Sequence, residues 1–230
     1  MIIENKVRLL INHIKSLSDF KIIEPDIPYR HMGATITDAM LQAGTTWETV
    51  VSPRIQELRH NYPEAKTTTG FLKLLERIGP RELLKWNDPE KPNRVLGVAR
   101  FFAKEGIETE ADLKTWLENE ANIVRLKELR GIGNKTADYF KILCGIPTSA
   151  VDRHLIKFLN TAGIEIDRVS YSEVREIINK SAEQKHRKSG SGLHSLLKNS
   201  DFTRPIHIIC TSYNSILAKS ETTSKGKVAV

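Results

Sequence analysis

The stretch that decides the fold reads Leu126-Lys127-Glu128-Leu129-Arg130-Gly131-Ile132-Gly133-Asn134-Lys135-Thr136-Ala137-Asp138. Its pattern predicts a short helix, a tight turn built on Gly131 and Gly133, and a second helix that begins near Asn134. Glycine permits a positive φ and lets the backbone come close to a ligand. Backbone N–H groups at such a turn, beside a helix N-terminus, can cradle a phosphate. The stretch is therefore either a contact for nucleic acid or a purely structural turn between two helices.

The rest of the chain carries helix signals and no alternating strand pattern. Apolar residues recur at three- and four-residue spacing through residues 2–17, which predicts an amphipathic helix. Ser52 precedes Pro53 and is expected to be the N-cap of a helix. The β-branched stretch 205–217 could form a strand, but a lone strand would have no partner, so a helix is preferred there. The remaining helices are predicted at 34–43, 69–77, 80–86, 92–105, 109–119, 123–129, 134–144 and 170–187. The pattern as a whole indicates an all-α protein.

Two residues near the glycine turn carry side chains suited to chemistry. Lys135 lies in the first turn of the predicted second helix. A neutral lysine amine is a nucleophile that can form a Schiff base, whereas a solvated lysine here would contact a phosphate. Asp152 begins a further helix, after Ala150-Val151. It is interpreted either as an ordinary N-cap or as a carboxylate that faces Lys135 across a cleft.

The same residues resemble one known family. The run Leu129-Arg130-Gly131-Ile132-Gly133-Asn134-Lys135-Thr136-Ala137 resembles the hairpin of the helix-hairpin-helix–GPD superfamily of base-excision DNA glycosylases. The run Ala150-Val151-Asp152-Arg153-His154 resembles the catalytic aspartate segment of that family. The seventeen-residue step from Lys135 to Asp152 fits the same pattern. The resemblance covers about residues 30–160 and is nearest to the endonuclease III-like branch.

The resemblance implies an all-α fold in which two helical lobes flank a DNA-binding cleft. Residues 31–150 are expected to form a helical barrel-like domain, with the helix-hairpin-helix motif at about 123–145. Residues 1–30 and 151–218 are expected to form a second helical domain built from both termini. The polar tail 219–230 is expected to be disordered.

The activity implied by the resemblance is excision of a damaged or mismatched base from double-stranded DNA. Lys135 is expected to attack the sugar C1′, and Asp152 to stabilise the positive charge that develops on the sugar. The resulting imine would permit β-elimination, so the enzyme would also be an abasic-site lyase. The expected DNA contacts are Gly131, Gly133, Asn134, Thr136, Gln42, Arg153 and His154. Among these, both glycines are expected to hold phosphate. Gln42 is either a wedge that fills the gap left by the flipped base or an ordinary polar helix residue, and Arg153 and His154 are either contacts to the DNA backbone or a surface arginine and a capping histidine.

Two other functions are carried as alternatives: a monofunctional hydrolytic glycosylase, and a non-catalytic DNA-binding module that keeps the hairpin. Oxidised pyrimidines, 8-oxoguanine, and thymine or uracil opposite guanine stay open as the excised base. The cluster Lys185-His186-Arg187-Lys188 is either a solvated helix end or an additional DNA contact. The three tryptophans, Trp47, Trp86 and Trp116, are expected to pack in the core or at a lobe edge rather than to stack on bases.

Composition limits the class of protein and its cofactors. The formal net charge of +7 suits a polyanionic partner. The chain has two cysteines, Cys144 and Cys210, which excludes a four-cysteine iron–sulfur cluster. We expect both to be small buried hydrophobes, and we expect no metal or organic cofactor for the chemistry. The resemblance allows one structural monovalent cation at the carbonyl groups of the hairpin.

Location and assembly are predicted from the same simple features. The sequence has no apolar run of about 18 residues, and its N-terminus lacks the basic-then-apolar pattern of a signal peptide. We therefore expect a soluble intracellular monomer, in the cytoplasm at the nucleoid or in a nucleus, with no membrane partner.

Overall fold

The computed structural model describes residues 2–17, 28–166 and 170–188. Within these residues the regular structure is helical and no strand occurs, which confirms the all-α prediction. A π-helix, Trp47–Val51, leads into α3, and a 3₁₀ turn, Pro63–Lys66, precedes α4. In chain order the α-helices α1 to α11 are Ile3–Ser16, Met32–Leu41, Ser52–Asn61, Thr68–Ile78, Pro80–Leu83, Glu90–Lys104, Glu110–Leu117, Glu120–Lys127, Asn134–Leu143, Arg153–Thr161 and Tyr171–Lys188.

Every helix predicted with both ends inside the described residues is present, and its ends differ from the prediction by at most three residues. The prediction for Ser52 was wrong. Ser52 has helical backbone angles and is the first residue of α3, because the π-helix before it runs directly into that helix. The predictions for 205–217, for the tail 219–230 and for Cys210 fall outside the described residues.

The described residues divide into two compact units. The larger unit comprises residues 28–150, and the smaller combines 2–17 with 151–166 and 170–188. None of the described helices has both the length and the apolar character that crossing a bilayer would require.

The core of the larger unit is built around α2, which is buried along its whole length. Phe71, Phe102 and Phe140 are fully buried in the same core, and the rings of Phe102 and Phe140 meet edge to face at 5.5 Å. Burial of such a side chain stabilises the fold by roughly 1.5–3 kcal/mol. The three tryptophans are partly buried and pack against this core, which confirms the packing interpretation. Cys144 is buried as expected, and burial raises the pKa of its thiol.

The smaller unit has a separate apolar core, to which α1, α10 and α11 contribute Leu10, Leu159 and Ile177. Its chain segments are distant in sequence, so apolar contacts must hold them together. One buried ion pair adds to these contacts: Lys6 Nζ lies 2.7 Å from Glu173 Oε1 and donates to the Glu165 carbonyl at 3.1 Å. Because the Lys6 side chain is only 8% exposed, these two acceptors compensate for water lost by its ammonium group.

Candidate functional site

The turn between α8 and α9 lies in the larger unit and is anchored by one apolar side chain. Ile132 is buried in the core, whereas Gly131 and Gly133 on either side of it are exposed. The N–H of Ile132 donates to the Leu129 carbonyl at 3.1 Å, which closes the turn. Gly131 has a φ of +88°, a value that strains any residue with a Cβ atom. The backbone of the two glycines therefore lies at the surface, while the buried Ile132 side chain anchors the turn in the core.

Helix α9 begins directly after this turn. Gly133 is its N-cap, in an extended conformation, and no side chain of the described residues caps the helix. Its first intrahelical bond joins the Ala137 N–H to the Gly133 carbonyl at 3.0 Å. The N–H groups of a helix's first turn have no acceptor inside the helix and carry the positive end of its dipole. This helix end therefore has the electrostatics that suit an anion.

The predicted site residues Asn134, Lys135 and Thr136 occupy the first turn of α9. Asn134 is exposed, and its Oδ1 accepts a hydrogen bond from Lys127 Nζ at 3.2 Å, which links the end of α8 to the start of α9. Lys135 and Thr136 are half-buried. Five of the predicted residues, including both glycines, therefore lie together in one short stretch of the larger unit. The cation predicted at the carbonyls of this turn stays a prediction.

Gln42 belongs to the same unit but to a different element. It is the C-cap of α2, is half-buried, and donates its backbone N–H to the Asp38 carbonyl at 3.2 Å. Lys91 holds this helix end, because its Nζ donates to the carbonyls of Leu41 at 3.0 Å and Ala43 at 2.5 Å. The same ammonium lies 5.0 Å from the centre of the Trp86 ring, which Arg54 also approaches. The end of α2 is thus fixed by a lysine from α6.

Asp152, Arg153 and His154 lie in the smaller unit, at the start of α10. Asp152 is the N-cap of this helix, as predicted: its Oδ1 accepts the N–H groups of His154 at 2.9 Å and Leu155 at 3.0 Å. The residue is half-buried, so the carboxyl group is within reach of solvent. Arg153 is exposed, and its Nε lies 3.4 Å from His154 Nε2. The structural role of Asp152 is therefore established, and it leaves a catalytic role to be tested.

A buried carboxyl group in the larger unit was missed by the sequence reasoning. Asp38, in the middle of α2, is fully buried. Its Oδ2 accepts hydrogen bonds from the hydroxyls of Tyr29 at 2.8 Å and Tyr139 at 3.0 Å. Its Oδ1 is also buried and accepts no hydrogen bond of normal geometry from the described residues. One signal was present in the sequence: an acidic residue inside an otherwise apolar helical run.

Burial gives Asp38 unusual acid–base properties. Loss of solvation disfavours its charged form and raises the pKa from 3.8 to about 6, although the two tyrosine hydroxyls and the nearby Trp47 indole oppose the change. The Tyr139 hydroxyl, buried and beside this carboxyl, has its pKa raised well above the ordinary value. Asp38 can therefore exchange a proton close to neutral pH, unlike an ordinary surface aspartate.

A second buried carboxyl group joins two distant segments of the same unit. Glu110, at the start of α7, accepts the backbone N–H groups of Arg30 at 2.6 Å and His31 at 3.4 Å, and the hydroxyl of Thr35. Desolvation raises its pKa, and these three donors limit the rise. His31 in turn caps α2 by accepting the Ala34 N–H at Nδ1. This network fixes the start of α2 and explains the polar atoms buried there.

Neither a cluster of metal ligands in the described part of the chain nor a match to a known protein accompanies this geometry. Within the parts of the chain that the structure describes, no group of three or more histidine, cysteine, aspartate or glutamate side chains could hold a metal ion. Comparison of the chain with models of known protein families, with curated proteins and with solved structures gives no match.

Proposed function

We propose that this chain is a base-excision DNA glycosylase that also cleaves abasic sites through a Schiff base on Lys135. The observation that carries the proposal is the glycine turn before α9. A half-buried lysine follows immediately after a positive-φ glycine and an exposed glycine N-cap, at a helix end that no described side chain caps. A backbone cradle for phosphate followed by a lysine suits attack on the sugar of a nucleotide, because the cradle can fix the phosphate next to the nucleophile.

The proposed partner is double-stranded DNA that contains a lesion or a mismatch. The net charge of +7 supports a polyanionic ligand. Only a nucleotide rotated out of the duplex can reach a side chain that reacts at its sugar, and unstacking is least costly for a damaged or mispaired base. In the binding mode implied by the family resemblance, two helical lobes flank a cleft that receives this nucleotide.

The proposed reaction assigns one role to each of two residues. The Lys135 amine forms a bond to C1′ of the sugar, while the bond from C1′ to the base nitrogen breaks; the base leaves with the electron pair of that bond and takes a proton from water. Asp152 stabilises the positive charge on the sugar and accepts the proton that the attacking amine loses. Asp152 returns this proton to the ring oxygen as the C1′–O4′ bond breaks and the sugar opens to a protonated imine. Loss of the proton from C2′ expels the 3′ phosphate, and hydrolysis of the imine regenerates Lys135.

Trapping of the imine tests the proposal directly. Borohydride reduces an imine to a stable amine, so the wild-type chain mixed with a panel of lesion-containing duplexes should give a covalent protein–DNA adduct. The adduct should disappear in Lys135→Gln. It should persist in Lys73→Gln, a matched control that removes an exposed lysine of α4, in the same unit but in a different helix.

The remaining outcomes separate the alternatives. Base release without an adduct would identify a hydrolytic glycosylase in which Lys135 contacts phosphate. DNA binding with neither base release nor adduct, on every duplex of the panel, would leave a non-catalytic binding module and would overturn the proposed reaction.

A further inference from the structure

Three charged side chains of the larger unit meet beside the glycine turn. Glu90 is the first residue of α6, Arg94 lies one helical turn later, and Arg130 lies in the turn itself. Glu90 Oε1 is 2.5 Å from Nη2 of Arg94 and 2.8 Å from Nη2 of Arg130. Two guanidinium groups therefore share one carboxylate oxygen, and the trio keeps one positive charge in excess.

Arg94 is also packed against the backbone of the turn. A Cβ atom on Gly131 would lie 2.7 Å from Cδ and 2.8 Å from Nη1 of Arg94, so the arginine occupies the space that a side chain would need. Its Nε is buried and finds no acceptor among the described residues. The guanidinium thus lies directly beside the turn with part of its hydrogen-bonding capacity unused.

The ion pair between Arg130 and Glu90 is exposed enough for a phosphate to replace the carboxylate, whereas the Arg94 side chain is 28% exposed. The side chain of Arg130 is 80% exposed and that of Glu90 is 44% exposed. Solvent-exposed ion pairs contribute little net stability and are screened by salt. The hydrogen bond from Arg94 and the charges of both arginines lower the pKa of Glu90, so its carboxylate is ionised at neutral pH. A phosphate is negatively charged like the Glu90 carboxylate, and it offers more oxygen atoms than a carboxylate to two planar guanidinium groups.

We propose that Arg94 and Arg130 form a phosphate-binding pair. Glu90 holds the two arginines in place in the free protein, and a DNA phosphate replaces it as their partner on binding. The inference rests on the proposed function only in taking DNA as the ligand. Glu90 then has two effects: it keeps both guanidinium groups at the turn before DNA arrives, and it competes with the phosphate for them. Binding of undamaged DNA is weakened by this competition.

Fluorescence anisotropy with a lesion-free duplex tests the pair without involving any chemistry. Arg130→Gln should weaken binding by about tenfold and lower the slope of log affinity against log salt by about 1, as expected for one lost phosphate contact. Arg100→Gln is the matched control: an exposed arginine of the same helix α6, ion-paired with Glu76, which should change neither quantity noticeably.

Glu90→Gln tests the competition. It should tighten binding about fivefold, whereas Glu128→Gln, the same charge change at an exposed residue of the same turn, should give a much smaller gain through long-range charge alone. The difference between the two variants should shrink in an Arg130→Gln background, because Glu90 then competes for Arg94 alone. Arg94→Gln is not used because it would also disturb the packing of Gly131. Unfolding midpoints should be measured for every variant to establish that it is folded.

Equal gains from Glu90→Gln and Glu128→Gln, or an Arg130→Gln slope equal to that of Arg100→Gln, would overturn the inference. These failures are distinguishable from failure of the proposed function. If an adduct forms at Lys135 while the Arg130 and Glu90 variants bind DNA like their control variants, the arginine pair alone is refuted. The predicted binding differences without base release or adduct refute the catalytic proposal and leave the arginine pair intact.

Discussion

Two aspartates of this protein illustrate opposite uses of a carboxyl group. Asp152 lies at a helix start, half-buried, with one oxygen bound to two backbone N–H groups from its own helix. Asp38 lies in the middle of a helix and is fully buried. One of its oxygens accepts hydrogen bonds from two tyrosine hydroxyls, and the other accepts none of normal geometry from the described residues. The first is solvated locally by its own backbone, whereas the second depends on side chains brought together by the fold.

The difference shows what each group can contribute. A carboxylate that accepts backbone N–H groups at a helix N-terminus is held in a fixed place, which suits the stabilisation of positive charge. A carboxyl group that is deprived of water and meets only neutral donors among the described residues has its pKa raised to about 6, so its charge depends on pH in the range in which proteins work. The following predictions test this contrast, beginning with the largest effect.

Asp152→Asn should abolish most of the proposed base excision. Asparagine keeps an oxygen that can cap α10, so the helix should stay intact while the negative charge is lost. Under the proposed mechanism, we expect the single-turnover rate of excision to fall by roughly three orders of magnitude, comparable to the loss of a preorganised charge-stabilising group. DNA affinity should change little. Near-normal turnover by this variant would remove Asp152 from the mechanism and leave it as a helix cap.

Asp38→Asn should change how the stability of the protein depends on pH. The folded state holds the Asp38 proton up to about pH 6 and the unfolded state only up to about 3.8, so the folded state binds more protons in between. The stability contributed by protonated Asp38 is therefore present below pH 3.8 and is lost as the pH rises through about 6. The loss is about 3 kcal/mol at 1.36 kcal/mol per pKa unit.

Urea denaturation from pH 4 to pH 7 measures this effect. The free energy of unfolding of Asp38→Asn, taken relative to the wild-type chain, should rise across that range because the amide does not titrate. Asp112→Asn is the matched control: the hydrogen bond from Thr109 lowers the pKa of Asp112 below 3.8, so its contribution is complete near pH 4 and its curve should run nearly parallel to that of the wild-type chain from pH 4 to pH 7. Parallel curves for the wild-type chain and Asp38→Asn would contradict the burial argument.

Asp152→Ala should show the smallest effect of the three, on stability alone. Removal of the capping oxygen leaves the N–H groups of His154 and Leu155 without that acceptor, which should lower the free energy of unfolding by about 1 kcal/mol. Asp152→Asn should lose much less. If alanine and asparagine destabilise the protein equally, the capping oxygen contributes nothing to stability. The contrast with Asp38 would then lack its first part, the stabilisation of α10 by Asp152.

Most of the helices could be predicted because their signals are local. The periodicity of residues 2–17 and the cap at Asp152 depend on contacts within one or two helical turns, so a single stretch of sequence contains both partners. Ser52 shows the limit of such reasoning. A serine before a proline normally starts a helix, but here a π-helix feeds into α3, and no local pattern announced that element.

The candidate site was only partly predictable for the same reason. The glycine turn and the lysine after it are contiguous in sequence, so they could be named as a group from residues 131–136. The position of Arg94 against Gly131 could not be predicted, because α6 and the turn are joined only by tertiary packing. Nor could the sequence indicate that Glu90 would bind two arginines from different elements.

By itself the sequence determined that the described residues are helical, where most of their helices begin and end to within three residues, and that a glycine turn precedes a lysine in a helix's first turn. Each of these rests on hydrogen bonds and apolar spacing that span a few residues. The tertiary structure alone decided that Asp38 is a buried acid and that Arg94 lies beside Gly131. Asp38 and Tyr139 are separated by 101 positions, and only the packing of α2 against α9 brings the carboxyl group and its donor within 3.0 Å.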